Sequence, residues 1–322
     1  MPPLISKMNV HCIGRYLIDL PRELRVKGAI SVAGVRITST EMELRQFNAN
    51  ILLHGERLKR TESIDEHPFF YKEGKGQSEH TTYFISRRRP GSDPGARRIE
   101  AYKWDRGFEI KLETKAIDFT DPDQTNDSIV KKMTVKRNVP EKTRVVLDLL
   151  SRIRGRPEED IPSEPGVCFF GGFISGKAGE TENVWGTYRM LKNPDAFFTI
   201  NTDTNIKQDT TLLQRSISLQ SALARFSGKT LRKGVVDLTN LPAEEWLMRA
   251  ETLMGVPGQY LTLEANPSSG RPQAPLVILD LETGLIGEDD ENPPKRSSLS
   301  DDEVVKVWDA VSRTLRVRPN GF

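Results

Sequence analysis

Cysteine is scarce in this chain, with Cys12 and Cys168 the two cysteines among 322 residues. Two cysteines exclude a disulfide framework and a four-cysteine zinc site. Both occur in apolar, strand-like runs that should be buried in separate cores, and a bridge would force those cores together. We therefore predict two buried free thiols that pack as small hydrophobic side chains.

Long apolar runs and net charge are lacking as well. No run approaches the roughly 18 apolar residues that a membrane-spanning helix needs. The 47 basic and 45 acidic side chains nearly cancel, so no long-range field would attract nucleic acid or a membrane surface. In a globular chain that is 36% hydrophobic and 29% charged, we expect neither a nucleic-acid partner nor a membrane span.

Sequence motifs of catalysis are missing too. No Gly-x-Ser-x-Gly pentapeptide is present, which argues against an esterase of the α/β-hydrolase type. Residues 227–230 (SGKT) resemble the end of a phosphate-binding loop, but Leu223 occupies the position of its first glycine. We expect no catalytic residue and no bound cofactor.

Metal-binding patterns are absent in the same way. The chain has four histidines, and no two of them stand at the spacing of a metal-binding pair; they are His11, His54, His67 and His80. Acidic clusters at 158–160 and 288–291 lack the spacing of a calcium-binding loop. We interpret them as solvated charge.

Two similar stretches of sequence open and close each half of the chain. Residues 11–18 (HCIGRYLI) resemble residues 167–174 (VCFFGGFI), and residues 148–157 (DLLSRIRGRP) resemble residues 309–319 (DAVSRTLRVRP). The order of opening, body and ending therefore occurs twice, which indicates two tandem units of similar plan. The proline- and charge-rich segment between them is typical of a linker.

Strand-like runs arranged in hairpins, with helices interspersed but no regular β-α-β alternation, predict an α+β fold. Each half would form a mainly antiparallel sheet covered by helices. We place the domains at 1–157 and 167–322, with a linker at 158–166. Apolar residues at helical spacing predict a helix over 210–226 and a short one over 243–252.

Capping residues mark the start of two further helices. Thr40 and Glu43 have the pattern of a capping box at the start of a helix over 40–60. Ser300 and Glu303 have the same pattern at the start of the last helix, which has the most regular apolar spacing in the chain.

Two kinds of residue are candidates for contacts with a partner. Charged side chains in loops that we expect to be exposed are Arg87, Arg88, Arg89, Arg97, Arg98, Arg271, Glu288 and Asp289. Aromatic side chains anchor many interfaces, and the candidates here are Trp185 and Tyr188. Core packing is the alternative for both aromatic residues.

Four motifs, taken in order, resemble one known family. They are residues 12–21 (CIGRYLIDLP), 166–174 (GVCFFGGFI), 212–215 (LLQR) and 298–319, which begins SLSDDE and ends DAVSRTLRVRP. Over nearly the whole chain they resemble the immunity proteins of type VI secretion lipase effectors. The resemblance is to the Tli family cognate to the fourth class of those lipases.

The resemblance implies a two-domain inhibitor in the bacterial periplasm, with no catalytic residue and no cofactor. Its partner would be a toxic phospholipase, whose active-site cleft or lid motion it would block by gripping the enzyme with two domains. We expect a monomer when the partner is absent. Residues 1–8 lack the basic and apolar regions of a secretory signal, so a periplasmic location requires a signal that has been removed, and a cytoplasmic location stays open.

Two other classes of function are also open. A periplasmic two-domain protein could hold a small ligand or have a structural role, and a hydrolase of unrecognised type could use a nucleophile outside the known motifs. A small molecule retained through purification would favour the first class. Turnover of ester or phosphodiester substrates by the isolated chain would favour the second.

Overall fold

The computed structural model describes residues 5, 7–121, 124, 127–225, 227–252, 255–285 and 294–322. Its strands are β1 (Met8–Ile13), β2 (Tyr16–Pro21), β3 (Leu24–Val32), β4 (Val35–Glu41), β5 (Phe70–Gly74), β6 (Thr81–Arg87), β7 (Ala96–Asp105), β8 (Phe108–Ile117), β9 (Ile153–Gly155), β10 (Gly166–Phe169), β11 (Gly172–Ser175), β12 (Glu182–Met190), β13 (Phe197–Asp203), β14 (Lys229–Leu238), β15 (Leu241–Glu251), β16 (Pro257–Ala265), β17 (Leu276–Glu282) and β18 (Arg316–Val317). Its helices are α1 (Leu44–Arg60), α2 (Ser128–Lys132), α3 (Val139–Arg152), α4 (Leu212–Arg225) and α5 (Asp301–Ser312).

Antiparallel pairing dominates these sheets, and helices pack on them, so the predicted α+β class is confirmed. The helix predicted over 210–226 is present as α4. None of the helices in the described residues combines the length and the apolar character that crossing a membrane would take.

Two compact units divide the chain, and neither is continuous in sequence. The C-unit contains residues 1–30, 158–170 and 176–322, and the N-unit contains residues 31–157 and 171–175. Each unit thus includes a segment from the opposite half of the chain. The domain boundaries given above follow chain order, and they stay a prediction.

Short strands at the start and end of each half account for this division. In the C-unit, β2 near the N-terminus pairs with β18 near the C-terminus, with Leu17 opposite Arg316. In the N-unit, β11 pairs with β9, with Phe173 opposite Arg154. The opening motif of each half therefore pairs with the closing motif of the other half.

A buried arginine follows each closing strand, Arg156 after β9 and Arg318 after β18. The Arg318 guanidinium donates hydrogen bonds to three backbone carbonyl oxygens, those of Pro162 (2.6 Å), Glu164 (2.9 Å) and Gly166 (2.6 Å). Such acceptors satisfy a charged donor whose burial would otherwise be unfavourable. The segment predicted as a linker is thus fastened to the C-terminal end of the chain.

Cys12 and Cys168 form a disulfide, so the prediction of two free thiols is wrong. Their Cα atoms lie 5.7 Å apart, within the range that a disulfide requires. The backbone brings the two residues together, because Gly14 and Cys168 exchange two N–H to carbonyl hydrogen bonds of 2.8 Å. The prediction assumed separate cores, whereas both cysteines belong to the C-unit.

The main sheet of the C-unit includes strands in the order β14-β15-β16-β17-β13-β12. α5 packs on one face of it through a buried apolar stripe, formed by Val304, Val307, Trp308 and Val311. The capping box predicted for this helix is confirmed, since the Glu303 N–H donates to Ser300 Oγ (3.3 Å) and the Ser300 N–H donates to Glu303 Oε2 (3.0 Å). α4 packs on the opposite face, where Leu212 contacts Trp246 and Met248.

Residues 243–252, predicted as a short helix, belong to β15 instead. This strand pairs with β14 on one side and with β16 on the other along most of its length. A short apolar run does not distinguish a helix from a buried strand by periodicity alone. The two flanking strands decide the conformation, and they come from elsewhere in the sequence.

The N-unit includes a sheet in the order β4-β8-β7-β6-β5, on which α1 and α3 pack. Alternating apolar and polar residues predict a hairpin with strands at 99–104 and 108–112 and a turn at 105–107. The hairpin is present as β7–β8, and its last pair is Asp105 opposite Phe108. Arg106 and Gly107 make the turn with φ values of +50° and +85°. These left-handed values are those of a two-residue hairpin turn.

α1 confirms the helix predicted over 40–60 but not its start. Thr40 lies in β4, and Glu43 is the N-cap residue without a side-chain capping bond. The predicted capping box is wrong, because strand pairing with Glu109 holds Thr40 in the sheet. The helix packs through Phe47 into the core of the N-unit.

Candidate partner-binding surfaces

The arginine loop predicted as a contact surface is partly buried in the N-unit. Arg87 is 0% exposed and binds the Asp65 carboxylate through two hydrogen bonds, Nη1 to Oδ1 at 2.5 Å and Nη2 to Oδ2 at 2.9 Å. These bonds lower the pKa of Asp65 below its ordinary value. A bidentate pair fixes geometry, so Arg87 holds the loop in place and the expected exposure of its side chain is wrong.

The other four arginines of the loop differ in exposure. Arg97 is buried, and its guanidinium carbon lies 3.8 Å from the centre of the Tyr71 ring. Burial lowers the pKa of Arg97. Its expected exposure is therefore wrong, because stacking makes it part of the fold. Arg88 and Arg98 are half-buried and Arg89 is exposed, and their contact role stays a prediction.

Trp185 and Tyr188 lie on opposite faces of β12, because they are three positions apart and successive side chains of a strand alternate between faces. Tyr188 is buried and packs edge-on against His11, with ring centres 5.4 Å apart. The alternative of core packing describes this residue, and its contact role stays a prediction. Trp185 is 42% exposed, which leaves its indole available to a partner.

Arg271, Glu288 and Asp289 complete the predicted contact residues. Arg271 is exposed, and its backbone pairs with that of Ala274 across a short turn. Glu288 and Asp289 lie outside the described residues. For these three charged residues the contact role stays a prediction.

Trp185 belongs to a face of the C-unit sheet that carries polar and aromatic side chains. Residues opposite each other on neighbouring antiparallel strands point to the same face. The strand registers place one row across the sheet, formed by Trp185, Asn201, Ile278 and Glu264. Two further rows contain Thr187, Thr199, Asp280 and Thr262, and then Phe197, Glu282 and Tyr260. We call the surface formed by these eleven residues the open face. On the next strand of the same face, β15, Trp246 lies opposite Thr262 and is covered by α4.

The carboxylates of the open face, Asp280, Glu282 and Glu264, are partly desolvated. Burial raises the pKa of Asp280 to about 6, and the charges of Glu282 and Glu264 add to the shift. Burial also raises the pKa of Glu282 and of Glu264. Within the described residues, neither Asp280 nor Glu282 forms an ion pair. The open face therefore carries negative charge that its own unit leaves unneutralised.

Glu264 is the most buried carboxylate of the open face, with 4% of the residue exposed. Its Oε2 accepts a hydrogen bond from Arg215 of α4, while its buried Oε1 finds no hydrogen-bond partner among the described residues. Asn201 Oδ1, in the same row, is also buried without a partner in the described part of the chain. Buried acceptors without a donor are rare in folded proteins and require an explanation.

α1 presents two exposed leucines on the surface of the N-unit. Leu52 and Leu53 are 67% and 68% exposed. Sequence interpretation missed them as contact residues, because it considered only the apolar stripe that includes Phe47 and Leu58. Their position outside that stripe was the available signal, since adjacent exposed leucines form a patch that suits a protein contact.

The buried histidine cluster of the N-unit does not form a catalytic triad. His54 Nε2 lies 3.3 Å from both Tyr102 Oη and Glu100 Oε2, whereas a triad needs the carboxylate on the other ring nitrogen. Burial raises the pKa of Tyr102 above its ordinary value, so the phenol is a poor nucleophile.

Glu100 is likewise unsuited to proton transfer near neutral pH. Burial alone would raise the pKa of Glu100, but hydrogen bonds from His54 and Lys111 outweigh it and lower that pKa to about 2. In the part of the chain that the structure describes, no group of three or more metal-ligating side chains is placed to hold an ion.

Family models match almost the whole chain. A model described as the N-terminal domain of Tle cognate immunity protein 4 matches residues 9–156, and the model of its C-terminal domain matches residues 160–320. The chain belongs to the Tle cognate immunity protein 4 family. Proteins of this family are immunity proteins of type VI secretion lipase effectors, which bind an effector and are not enzymes. The resemblance found from four sequence motifs is thereby confirmed.

Solved structures of immunity proteins share the fold of this family member. TplEi, an immunity protein of the type VI secretion system from Pseudomonas aeruginosa, aligns in its apo form with a TM-score of 0.76 and 21% identity over 98% of this chain and 100% of that chain. A structure of the Tle4–Tli4 complex aligns with a TM-score of 0.77 and 21% identity over 98% of each chain. TplEi complexed with "L" peptide aligns with a TM-score of 0.70 and 21% identity over 98% of this chain and 99% of that chain. No curated protein sequence matches the chain.

Proposed function

We propose that this chain binds a type VI secretion lipase effector and neutralises it by occluding the active-site cleft or restraining the lid. The observation that carries the proposal is the match to both domains of an immunity protein family that is named for its cognate lipase. A protein with the same fold occurs in the Tle4–Tli4 complex, which supports direct binding as the mode of action.

Candidate contact residues in each unit support a grip by both units. The C-unit exposes Trp185, and the N-unit exposes Leu52 and Leu53. Large aromatic and apolar side chains on a polar surface are suited to fill pockets of a partner. When two surfaces of one molecule engage the same partner, the second contact forms at high effective concentration.

We propose the periplasm as the site of action. Immunity proteins against type VI secretion lipases are generally periplasmic. The Cys12–Cys168 disulfide supports this location, because disulfides persist in the oxidising periplasm and are rare in the cytosol.

Titration of a lipase with the chain tests the proposed function. The cognate lipase effector would be purified, and phospholipid hydrolysis would be followed as the chain is added. We expect activity to fall linearly and to vanish near an equimolar ratio, because a tight complex titrates its target stoichiometrically. Undiminished hydrolysis at a large excess of the chain would reject the proposal.

Surface variants test the grip by both units. We expect Trp185→Ala in the C-unit and the double variant Leu52→Asp/Leu53→Asp in the N-unit each to weaken binding by about tenfold or more. Ile129→Asp is a matched control, since Ile129 is also exposed in the N-unit but lies outside the proposed contacts. If only one of these two variants binds the lipase more weakly, a single unit carries the binding surface.

Separate halves of the chain are unsuitable for this test. A cut in the segment 158–166 would separate β9 from β11 and β2 from β18, and these strands pair within the N-unit and the C-unit respectively. Both units would lose native contacts. Weak inhibition by one half could therefore result from misfolding and not from loss of a binding surface.

A further inference from the structure

The open face is acidic in a way that the fold does not require. Asp280 and Glu282 are two residues apart on β17 and therefore point to the same face, about 7 Å from each other along the strand. Neither carboxylate forms an ion pair among the described residues. Tyr260 Oη donates a hydrogen bond to Asp280 Oδ1 at 3.2 Å, and because this donor is uncharged the negative charge stays in place. Both negative charges are left for a partner to neutralise.

The cations of the same face are engaged elsewhere. Arg215 donates to Glu264 and to the Thr210 carbonyl oxygen. Arg189, at the edge of the face, lies over the Phe197 ring at 5.6 Å and donates through Nε to the Pro194 carbonyl oxygen at 2.8 Å. Among the described residues, neither Asp280 nor Glu282 pairs with a lysine or an arginine of the C-unit.

Acceptors without donors lie in the row next to these charges. Glu264 Oε1 and Asn201 Oδ1 are buried, and no described residue forms a hydrogen bond with either atom. Trp185, at the end of the same row, presents an exposed ring. A ligand that supplies a positive charge, several N–H donors and a flat stacking surface would suit Asp280, Glu282 and Trp185.

We propose that the open face is the docking surface for an arginine-bearing segment of the lipase effector. A guanidinium has five N–H donors in a planar fork, pairs with two carboxylate oxygens at once and stacks on aromatic rings, whereas a lysine ammonium is a point charge. Its charge complements Asp280 and Glu282, and its face matches Trp185. The inference rests on the proposed function and adds the chemistry of the contact.

A metal ion fits this face less well than a guanidinium. Among the described residues, no three metal-ligating side chains converge in a geometry that holds an ion. The acidic groups are also spread over two strands, β16 and β17, and aromatic side chains lie on the strands at both edges, Tyr260 on β16 and Trp185 on β12. This breadth suits a segment of protein chain.

Salt-dependent binding of the whole 322-residue chain to its cognate lipase effector tests the proposal. The double variant Asp280→Asn/Glu282→Gln removes two charges and keeps the hydrogen-bond acceptors. We expect its Kd to rise at least about tenfold at low salt, and the dependence of binding on NaCl to become weaker, because the association loses an attraction that salt screens. Trp185→Ala should raise the Kd while leaving the salt dependence unchanged.

Glu159→Gln/Asp302→Asn is the matched control, since it removes two exposed charges of the C-unit outside the open face. We expect the control to bind within about twofold of the unmodified chain. Circular dichroism of each variant confirms that it is folded.

The outcomes separate the two proposals. If the unmodified chain fails to inhibit the lipase, the proposed function fails. If it inhibits, but Asp280→Asn/Glu282→Gln binds with unchanged affinity and unchanged salt dependence, the docking surface lies elsewhere and this inference is overturned. Equal weakening by the control and by the open-face variant would also overturn it, because the effect would then be one of net charge.

Discussion

The sulfur atoms of Cys12 and Cys168 are bonded to each other across 156 residues of sequence. Cys12 lies in β1, in the opening motif of the first half, and Cys168 lies in β10, in the opening motif of the second half. Equivalent positions of a repeated motif are thus joined within one compact unit. The bond fastens the N-terminal hairpin to the segment that follows residues 158–166.

Removal of this disulfide should lower stability substantially. We expect Cys12→Ala/Cys168→Ala to reduce the free energy of unfolding by about 2–5 kcal/mol, because the unfolded chain regains the freedom of a very long loop. Urea unfolding followed by circular dichroism measures the change. Reductant should bring the unmodified chain to the midpoint of the variant and leave the variant itself unchanged.

Equal urea midpoints for the oxidised chain and the double variant would contradict this expectation. Alanine is the appropriate replacement, because both cysteines are buried and a serine hydroxyl would need a hydrogen-bond partner there.

The buried carboxylate of Glu245 supports the contact between α5 and the sheet of the C-unit. It accepts hydrogen bonds from Trp308 Nε1 at 3.0 Å, from Arg313 Nη1 at 2.9 Å and from Arg232 Nε at 2.7 Å. Burial would raise the pKa of Glu245, but bonds from Arg313, Trp308 and Arg232 outweigh it and lower the pKa.

Glu245→Gln should therefore lower the free energy of unfolding by about 2–3 kcal/mol near neutral pH, because the new NH₂ group faces donors and the charge that paired two arginines is lost. Thermal unfolding measures the effect. Glu251→Gln is the control, since Glu251 lies at the exposed end of the same strand, and it should change stability by less than about 0.5 kcal/mol.

The pH dependence of the Glu245 contribution has a definite sign. Because the folded-state pKa lies below the ordinary value of 4.5, the stabilisation is present above that value and is lost as pH falls through the lower, folded-state pKa. The difference between Glu245→Gln and the unmodified chain should shrink in acid. A difference that stays constant down to the acid transition would contradict the assignment.

Local sequence signals predicted those elements whose structure is decided locally. α5 followed from its apolar spacing and from the pair Ser300 and Glu303, because a capping box forms within four residues. The β7–β8 hairpin followed from alternation and from the turn at Arg106 and Gly107. These features depend on neighbours in sequence, so a single sequence contains them.

Features decided by distant partners were not predictable in this way. The disulfide depends on the exchange of strands between the halves, β15 depends on pairing with two other strands, and the burial of Arg87 depends on Asp65. A loop rich in arginine suggests exposure, because the partner that buries one of its members is not visible beside it. In each case the deciding contact is made by a residue that is distant in sequence.

The open face falls between these two cases. The polar residues at alternate positions of β17, Asp280 and Glu282, are visible in the sequence between buried leucines, and Trp185 was itself predicted as a contact residue. Their assembly into one surface depends on strand register, which places Asn201 beside both Trp185 and Ile278. Pattern alone therefore suggested members of the surface but not the surface.

The raised pKa of Asp280 makes a stability prediction that is independent of any partner. Burial raises this pKa from an ordinary 3.8 to about 6, so the folded state binds a proton more tightly than the unfolded state. The contribution of Asp280 to stability is therefore most favourable at pH values below the ordinary pKa of aspartate. It becomes less favourable as pH rises through the pKa that Asp280 has in the folded state. At neutral pH the ionised Asp280 destabilises the free protein.

Asp280→Asn should thus be more stable than the unmodified chain near neutral pH, by about 1–2 kcal/mol once solvent screening is allowed for. Asparagine keeps an acceptor for Tyr260 Oη and carries no charge. The difference in melting temperature should vanish below about pH 4, where aspartate is neutral in both states. A variant that is less stable near neutral pH, or a difference that does not depend on pH, would contradict the prediction. A contact residue often destabilises the free protein while it strengthens binding. The same substitution, Asp280→Asn, should therefore raise the stability of the free chain and weaken the lipase complex.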